Sequence, residues 1–208
     1  MKRSRQLALP LPVRGGRRLG AGRKPRGPRA GVSHKARAGF DRPTPVHVTL
    51  RVRRHVWNLR SRRCFRRIEN CFMAACGRFG VRLIEFSIQG NHVNLIVEAD
   101  DSVSLSRALQ GMAIRIAKAL NDLMGRAGAV FSDHYHSRLL RTPTELVRAI
   151  RYVLSNNQHH YGASADADAF SSAALPEERK RLVLCIPVGW LLREGWKRAA
   201  PLSAGPSG

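Results

Sequence analysis

His92 and Asn94 stand two residues apart in a segment where apolar and polar residues alternate. In a β-strand this spacing places both side chains on the same face of the sheet. An imidazole and an amide oxygen on one face can hold a single cation, and this pair of ligands suits Mg²⁺ or Mn²⁺ better than zinc. The alternative is a polar strand end with no ligand, because the turn residues Gly90 and Asn91 come directly before the pair.

Tyr152 and Asn156 form a second pair, four residues apart in a segment with helical spacing. At about 100° per residue the two side chains share one side of a helix, and Tyr152 points away from most of the apolar residues. An exposed tyrosine beside a basic sheet is a candidate nucleophile. The alternative is an ordinary boundary tyrosine with no chemical role.

In the segments that carry these residues, the apolar residues are spaced either two apart, as in a strand, or three to four apart, as in a helix. Alternating residues predict strands at 46–52, 83–89, 92–98 and 135–140, with Ile84, Phe86 and Ile88 together on one face of the second strand. Helical spacing predicts helices at 64–79 and 105–123 and a third that begins at Pro143. Thr142 caps this third helix, and Glu145 completes a capping box.

The order of these elements is β-α-β-β-α-β, followed by the third helix. It predicts an α+β fold, namely a ferredoxin-like antiparallel sheet with two helices on one face and an additional helix that carries Tyr152. The two helices leave the second face of the sheet uncovered, and the polar residues of the alternating strands must lie there. We expect on this second face His47, Thr49, Arg51, His92, Asn94 and Glu98.

The chain of 208 residues is strongly basic, with 37 Lys and Arg against 14 Asp and Glu and a formal net charge of +23. Such an excess favours a polyanion as the partner. Residues 1–40 are rich in Gly, Pro and Arg without an apolar period, which predicts a disordered basic arm. Residues 41–161 are the predicted folded domain, and residues 162–208 a C-terminal extension that is partly disordered.

Several function classes are disfavoured by what the sequence lacks. No apolar run is long enough for a membrane span, and the basic start is not followed by a secretory leader, so we expect a cytoplasmic protein without a membrane partner. The four cysteines contain no C-x-x-C pair, which predicts buried free thiols rather than a zinc site or a disulfide scaffold.

Five blocks of sequence, in this order, resemble the REP-associated tyrosine transposases of the single-tyrosine HUH endonuclease superfamily. The resemblance spans residues 34–161. The blocks are PVHVTLR at 45–51, SIQGNHVNLIVEA at 87–99, VFSDHYH at 130–136, LRTP at 140–143 and YVLSNN at 152–157.

The resemblance implies a DNA transposase of a mobile element that cleaves and rejoins single-stranded DNA at hairpin, REP-like elements. Tyr152 matches the nucleophile, which forms a 5′-phosphotyrosine bond and leaves a free 3′-hydroxyl. His92 matches the first histidine of the metal-binding pair, and Asn156 matches the third ligand of Mg²⁺ or Mn²⁺. The family has a second histidine where this chain has Asn94, and an amide is the weaker ligand for a transition metal.

The DNA contacts that we expect are basic or polar side chains on the domain and on the arm. The resemblance also implies single-stranded and hairpin DNA as the partner, and we expect the bacterial cytoplasm, at the nucleoid, as the compartment and a monomer or a homodimer as the state of the protein. The predicted DNA-binding residues are His47, Arg51, His136, Arg138 and Arg141 in the domain and Arg23, Lys24 and Arg26 in the arm.

Two other functions remain open from the sequence. A catalytically decayed or domesticated DNA-binding protein of the same fold is favoured by Asn94. An unrelated RNA-binding module on a ferredoxin-like sheet would carry exposed aromatic residues on its central strands. The corresponding positions hold His92, Asn94 and Glu98 instead, which disfavours the RNA-binding module.

Overall fold

The structure is a computed structural model. It describes residues 39–75, 77–161 and 167–199, but not the side chains of residues 156–161. Four strands and three long helices come first along the chain, and short helices follow. In order they are β1 (Thr44–Arg51), α1 (Arg62–Ala75), β2 (Val81–Ile88), β3 (His92–Ala99), α2 (Ser102–Leu123), β4 (His136–Leu139), α3 (Pro143–Tyr161), a 3₁₀ turn (Ser172–Ala174), α4 (Glu177–Val183), α5 (Trp190–Arg193) and a second 3₁₀ turn (Gly195–Arg198).

The sheet has the order β2-β3-β1-β4, and every neighbouring pair is antiparallel. β1 therefore lies in the interior of the sheet, between β3, which forms a hairpin with β2, and the short edge strand β4. The predicted α+β, ferredoxin-like architecture is confirmed, and the predicted boundaries agree with the observed ones to within a few residues.

The main core lies between one face of this sheet and the helices α1 and α2. Both helices are amphipathic, and their apolar sides meet the strand residues that alternate toward them. Asp101 caps α2 by accepting hydrogen bonds from the backbone N–H groups of Val103 and Ser104, which contributes about 1 kcal/mol. The largest fully buried side chains of this core include Phe72, Phe86, Ile68, Leu95, Leu109 and Ile116.

The second face of the sheet is partly covered, which differs from the prediction that it is open. Helix α3 contacts β2 and β3 there, and a small second core forms around Ile96 of β3 with Leu146 and Val153 of α3. Helix α3 covers this face because Ile96 is an apolar residue among polar neighbours, and packing against α3 buries its side chain away from water. The capping box at the start of α3 is present: Glu145 N–H donates to Thr142 Oγ1 at 3.2 Å.

Strand β2 contains an irregularity that the alternation pattern did not predict. The pairing of β2 with β3 shifts register between Leu83 and Glu85, as a β-bulge does. Leu83 and Phe86 consequently both face the main core, while Ile84 packs with the second core. The expected grouping of Ile84 with Phe86 is therefore wrong.

Residues 167–199 of the predicted C-terminal extension are packed against the domain. The backbone N–H of Ile88 donates to the carbonyl of Phe170, and that of Cys185 donates to the carbonyl of Leu83, both at 2.8 Å. Arg60 holds the buried Asp168 through two hydrogen bonds of 2.8 Å. This segment covers the edge of β2, which would otherwise expose unpaired backbone groups.

Glu98 lies on the second face of the sheet, as expected, but it is buried there, so the expectation that this position is open is wrong. Its carboxylate accepts hydrogen bonds from the backbone N–H groups of Val188 at 2.8 Å and Gly189 at 2.7 Å. It also pairs with Arg82 at 2.6 Å. A Cβ at Gly189 would meet Oε1 of Glu98 at 2.5 Å, so only glycine lets the backbone approach this closely. Glu98 thus fixes the C-terminal segment to the sheet.

The three cysteines that the structure describes divide into two kinds, and Cys76, a fourth predicted free thiol, lies outside the described residues. Cys64 and Cys71 are buried free thiols, as predicted. Cys185 is disulfide-bonded, so the expectation of free thiols is wrong for this residue. Among the helices that the structure describes, none has the length and apolar composition that crossing a membrane requires.

Candidate active site

His92 and Asn94 lie at the start of β3, on the second face of the sheet. Thr49 of β1 stands directly opposite Asn94, and Arg51 stands opposite His92. Asn94 is 1% exposed, whereas His92 is half-buried and Arg51 is exposed. The hydrogen-bonding register therefore gathers these four side chains on one side of two central strands.

The amide of Asn94 has one atom engaged and one atom without a partner. Thr49 Oγ1 donates a hydrogen bond of 2.9 Å to Oδ1 of Asn94. Across the described part of the chain, Nδ2 of Asn94 finds no hydrogen-bond partner, although it is buried. A buried donor in this state costs about 1–3 kcal/mol, which a ligand that contacts the amide would recover.

Asn91 orients the imidazole of His92. Nδ1 of His92 lies 2.8 Å from Oδ1 of Asn91, which accepts a hydrogen bond in the tautomer that carries the proton on Nδ1. In that tautomer Nε2 keeps its lone pair, as a metal-binding histidine requires. Metal-binding histidines commonly have an acceptor of this kind at their second ring nitrogen.

Helix α3 places Tyr152 over β1. Val153 beside it is buried against Ile96, which fixes the rotation of the helix and leaves Tyr152 44% exposed. The ring of Tyr152 meets the imidazole of His47 edge to face, with 5.8 Å between centroids and an interplanar angle of 73°. The predicted exposure of Tyr152 is observed, but the contact with His47 was not predicted.

His47 is uncharged at neutral pH. Burial lowers its pKa, and the nearby charges of His136 and Arg138 lower it further, while the neighbouring Asn94 side chain partly opposes the shift. Its Nε2 is buried and has no hydrogen-bond partner within the described ranges. A neutral imidazole with an unused nitrogen therefore lies directly beside the ring of Tyr152.

Strand β4 adds two basic side chains to the border of the site. His136 pairs with Thr49, and Arg138 pairs with His47. Arg138 forms an exposed ion pair of 2.9 Å with Glu145. Hydrogen bonds from the Arg141 backbone and from Arg138 lower the pKa of Glu145, so this carboxylate is ionised at neutral pH. The guanidinium has five N–H donors, so this ion pair leaves Arg138 able to bind a phosphate.

The remaining predicted site residues are only partly described. Asn156 belongs to α3, one turn after Tyr152, but its side chain lies outside what the structure describes. Arg141 is exposed just before α3. Arg23, Lys24 and Arg26 lie outside the described residues, as does the predicted basic arm up to residue 38.

Tyr135, the rival phenol, lies on the other side of the sheet. Its hydroxyl is 3.2 Å from Oγ of Ser106 on α2, and its ring packs against the main core. The sheet therefore separates Tyr135 from His92, Asn94 and Tyr152.

A metal at this site would have to be held by histidine and amide groups. Within the described residues, no three His, Cys, Asp or Glu side chains gather as a metal site. In the present orientation Asn94 offers an N–H donor, which cannot bind a cation. A half-turn of the amide exchanges its two atoms, and the Thr49 hydroxyl can accept from Nδ2 as well as donate to Oδ1. With this turn, His92 and Asn94 fit a hard divalent cation.

The sequence analysis missed a second basic surface, on helix α1. Arg62, Arg63, Arg66 and Arg67 are all exposed and line a groove with Asn70 and Leu123. Their spacing repeats after one helical turn, so the sequence itself carries the signal of a basic helix face, alongside the apolar residues that predict the helix. This surface lies on the helical side of the sheet, away from Tyr152.

The strands and helices that carry these residues match a known family. Residues 44–156, more than half of the chain, match the family model described as "Transposase IS200 like". The chain belongs to the IS200-like transposase family. No curated protein matches it.

Two solved structures are similar to this transposase. A REP-associated tyrosine transposase bound to a REP hairpin has a TM-score of 0.56 and 12% identity, with 76% of this chain and 91% of that chain covered. A putative transposase from Deinococcus radiodurans R1 has a TM-score of 0.42 and 10% identity, with 63% and 99% covered. The first shares the fold of this transposase, in agreement with the resemblance found in its sequence motifs.

Proposed function

We propose that this transposase cleaves single-stranded DNA beside hairpin elements and transfers the strand through a 5′-phosphotyrosine intermediate on Tyr152. The observation that carries the proposal is the place of Tyr152, half-exposed on a helix whose rotation is fixed, over the sheet face that holds His92 and Asn94. The hairpin in the similar solved structure supports DNA hairpins as the substrate class.

The cleavage step needs one nucleophile and one leaving group. Oη of Tyr152 attacks the phosphorus, a tyrosine O–P bond forms, and the bond from phosphorus to the 3′-oxygen breaks. The proton of the phenol is released, and the departing 3′-oxygen takes up a proton to become a hydroxyl. Attack of a 3′-hydroxyl on the phosphotyrosine reverses the bond exchange, so the strand is rejoined without an external energy source.

The chain's own residues prepare this attack. A phenol with a pKa near 10 is mostly protonated at pH 7, so Tyr152 reacts slowly unless its proton is accepted or its target is polarised. His47 holds the tyrosine ring from the side of the sheet. His92, Asn94 and Asn156 would hold Mg²⁺ or Mn²⁺, and such an ion polarises the scissile phosphate.

Basic side chains around the site would bind the neighbouring phosphates. His136 and Arg138 border the site on β4, Arg51 stands beside His92, and Arg141 lies before α3. We extend this role to Arg23, Lys24 and Arg26 of the arm. The protein would act at DNA in the cytoplasm, and its state as monomer or homodimer stays a prediction.

A labelled single-stranded hairpin oligonucleotide tests this function. We expect incubation with Mn²⁺ to give a protein–DNA band that resists denaturant, and addition of EDTA beforehand to prevent it. Binding without any covalent band, over a range of metal concentrations, would instead support the second candidate function.

The second candidate is a DNA-binding protein of the same fold that has lost cleavage. It is favoured by one observation, the hydrogen bond from Thr49 that holds Oδ1 of Asn94 and leaves a donor facing the site. In that protein the unpartnered N–H group would bind a phosphate oxygen and no metal would be needed.

Substitution of Asn94 by histidine separates the two candidates. Because imidazole is the firmer ligand, we expect Asn94→His to lower the Mn²⁺ concentration for half-maximal cleavage by about tenfold or more. Thr49→Val is the matched variant, since it removes the hydroxyl that holds the amide oxygen without adding a ligand. If neither the parent nor Asn94→His cleaves, with the fold and hairpin binding retained, decay lies elsewhere in the chain. A parent that cleaves and an unchanged Mn²⁺ requirement in Asn94→His would contradict a role of Asn94 as a metal ligand.

Removal of the basic arm should weaken binding without changing its specificity. Residues 1–38 carry 12 Lys and Arg and no acidic residue, and a deletion that ends there spares Phe40, which packs against the main core. Each phosphate that the arm no longer neutralises reduces the slope of log K against log salt by about 0.7–0.9. We therefore expect weaker binding to every hairpin and a flatter salt dependence. Loss of discrimination between hairpins would contradict an electrostatic role.

A further inference from the structure

A groove opens at one end of the sheet, beyond the active site. Its walls are the residues before and within the start of β1, the end of β4 with Arg141, and the segment 188–191. The groove has a volume of about 830 Å³ and combines apolar side chains with three exposed charged residues, Asp41, Arg42 and Arg141. Of the residues that line it, only Arg141 has a part in the proposed function, as a phosphate contact.

Trp190 forms an exposed aromatic wall of this groove. Its side chain is 54% exposed, although tryptophan is the residue with the most apolar surface to bury. The guanidinium of Arg198 lies 5.3 Å from the centroid of the indole ring. Arg198 thus lies over the indole ring in a cation–π contact, and together they form an exposed, basic aromatic surface. Aromatic side chains in a basic groove bind unpaired bases, through stacking and neighbouring phosphate contacts.

The tryptophan-bearing wall is held in place by buried charge. Glu98 accepts hydrogen bonds from the backbone N–H groups of Val188 and Gly189, the two residues before Trp190, and Arg82 neutralises the carboxylate. α5 and the turn after it also pack against α3, the helix of Tyr152. The groove is therefore preformed and fixed to the same elements as the active site.

The groove continues from the active site along two strands. Pro45, which lines it, is two residues from His47, or about 7 Å along β1. On β4, Arg138 pairs with His47, and the next residues, Leu139 to Arg141, line the groove. A DNA strand that leaves the site over His47 would enter the groove within one or two nucleotides.

We infer that this groove binds an unpaired nucleobase of the DNA strand that flanks the cleavage site, stacked on Trp190, with Arg42 and Arg141 at its phosphates. The inference rests on the proposed function only in taking single-stranded DNA as the substrate. It needs neither Tyr152 nor a metal, so binding measurements can test it separately from cleavage.

The test compares a labelled hairpin that carries a single-stranded flank with the same hairpin trimmed to its stem. We expect Trp190→Ala to weaken binding of the flanked hairpin about tenfold and to leave the trimmed hairpin unchanged, and Trp190→Phe to retain most of the affinity. Trp57→Ala is the matched control, since Trp57 is 46% exposed and its backbone N–H lies against Met124, the residue that ends α2, away from the groove.

Two results would overturn the inference. One is equal affinity of Trp190→Ala and the parent protein for the flanked hairpin. The other is an equal loss of affinity for flanked and trimmed hairpins, which would assign Trp190 a role in the fold. Failure of the parent protein to bind either hairpin would instead contradict the proposed function, so the two failures are distinguishable.

Discussion

Replacement of Tyr152 by phenylalanine should abolish the covalent protein–DNA adduct and reduce strand cleavage by at least about 10³-fold, because the attacking oxygen is removed. Hairpin binding should stay within about twofold, since a 44% exposed side chain loses a single hydroxyl. The edge-to-face contact with His47 needs only the ring, so phenylalanine preserves the position of α3. Denaturing gels measure the adduct, and fluorescence anisotropy measures binding.

The chain offers two matched controls, since it contains three tyrosines. Tyr135→Phe alters a phenol on the opposite side of the sheet, where its hydroxyl faces Ser106. Tyr161→Phe alters the residue at the end of α3. Both variants should form the adduct at the parental rate. An adduct that persists in Tyr152→Phe and disappears in Tyr135→Phe would show that the nucleophile is Tyr135, on the opposite side of the sheet, and not Tyr152.

Replacement of Glu98 by alanine should be the most destabilising single change outside the main core. It removes one of the two carboxylates that pair with Arg82, the other being that of Asp100, and it strands the backbone N–H groups of Val188 and Gly189. Each buried N–H group left without its acceptor costs about 1–3 kcal/mol. We expect a lower urea midpoint and faster proteolysis within residues 167–199.

Glu194→Ala serves as the comparison for Glu98. Glu194 forms an exposed ion pair with Lys197, three residues away in the chain, and its removal should change the urea midpoint little. Glu98→Ala should also weaken binding of the flanked hairpin, because Glu98 positions the wall that carries Trp190. A Glu98→Ala protein as stable as the parent would show that the C-terminal segment is held by other interactions.

The strands and helices that are determined by residues close together in the chain were predictable from the sequence. The alternation in β1 and β3 follows from side chains that must face either the core or the second face. The start of α3 follows from Thr142 and Glu145, which satisfy backbone N–H groups within one helical turn. The shared face of His92 and Asn94 follows from strand geometry alone.

The features that depend on residues distant in the chain were not predictable in this way. The bulge after Leu83 changes which residues of β2 face the core, and no residue type marks it. The burial of Glu98 depends on backbone groups 90 residues later in the chain. The packing of Tyr152 on His47 exists because Ile96 draws α3 onto the sheet, which a pattern within one segment cannot reveal.

The most direct test of the central claim is to find the residue that carries the DNA. The denaturant-resistant adduct is digested with trypsin, and the nucleotide-bearing peptide is sequenced by mass spectrometry. We expect the peptide that begins at Tyr152, after Arg151, with fragmentation placing the nucleotide on Tyr152 and not on Tyr161. A nucleotide on the peptide of residues 127–138, which contains Tyr135, or on any residue other than Tyr152, would contradict the account.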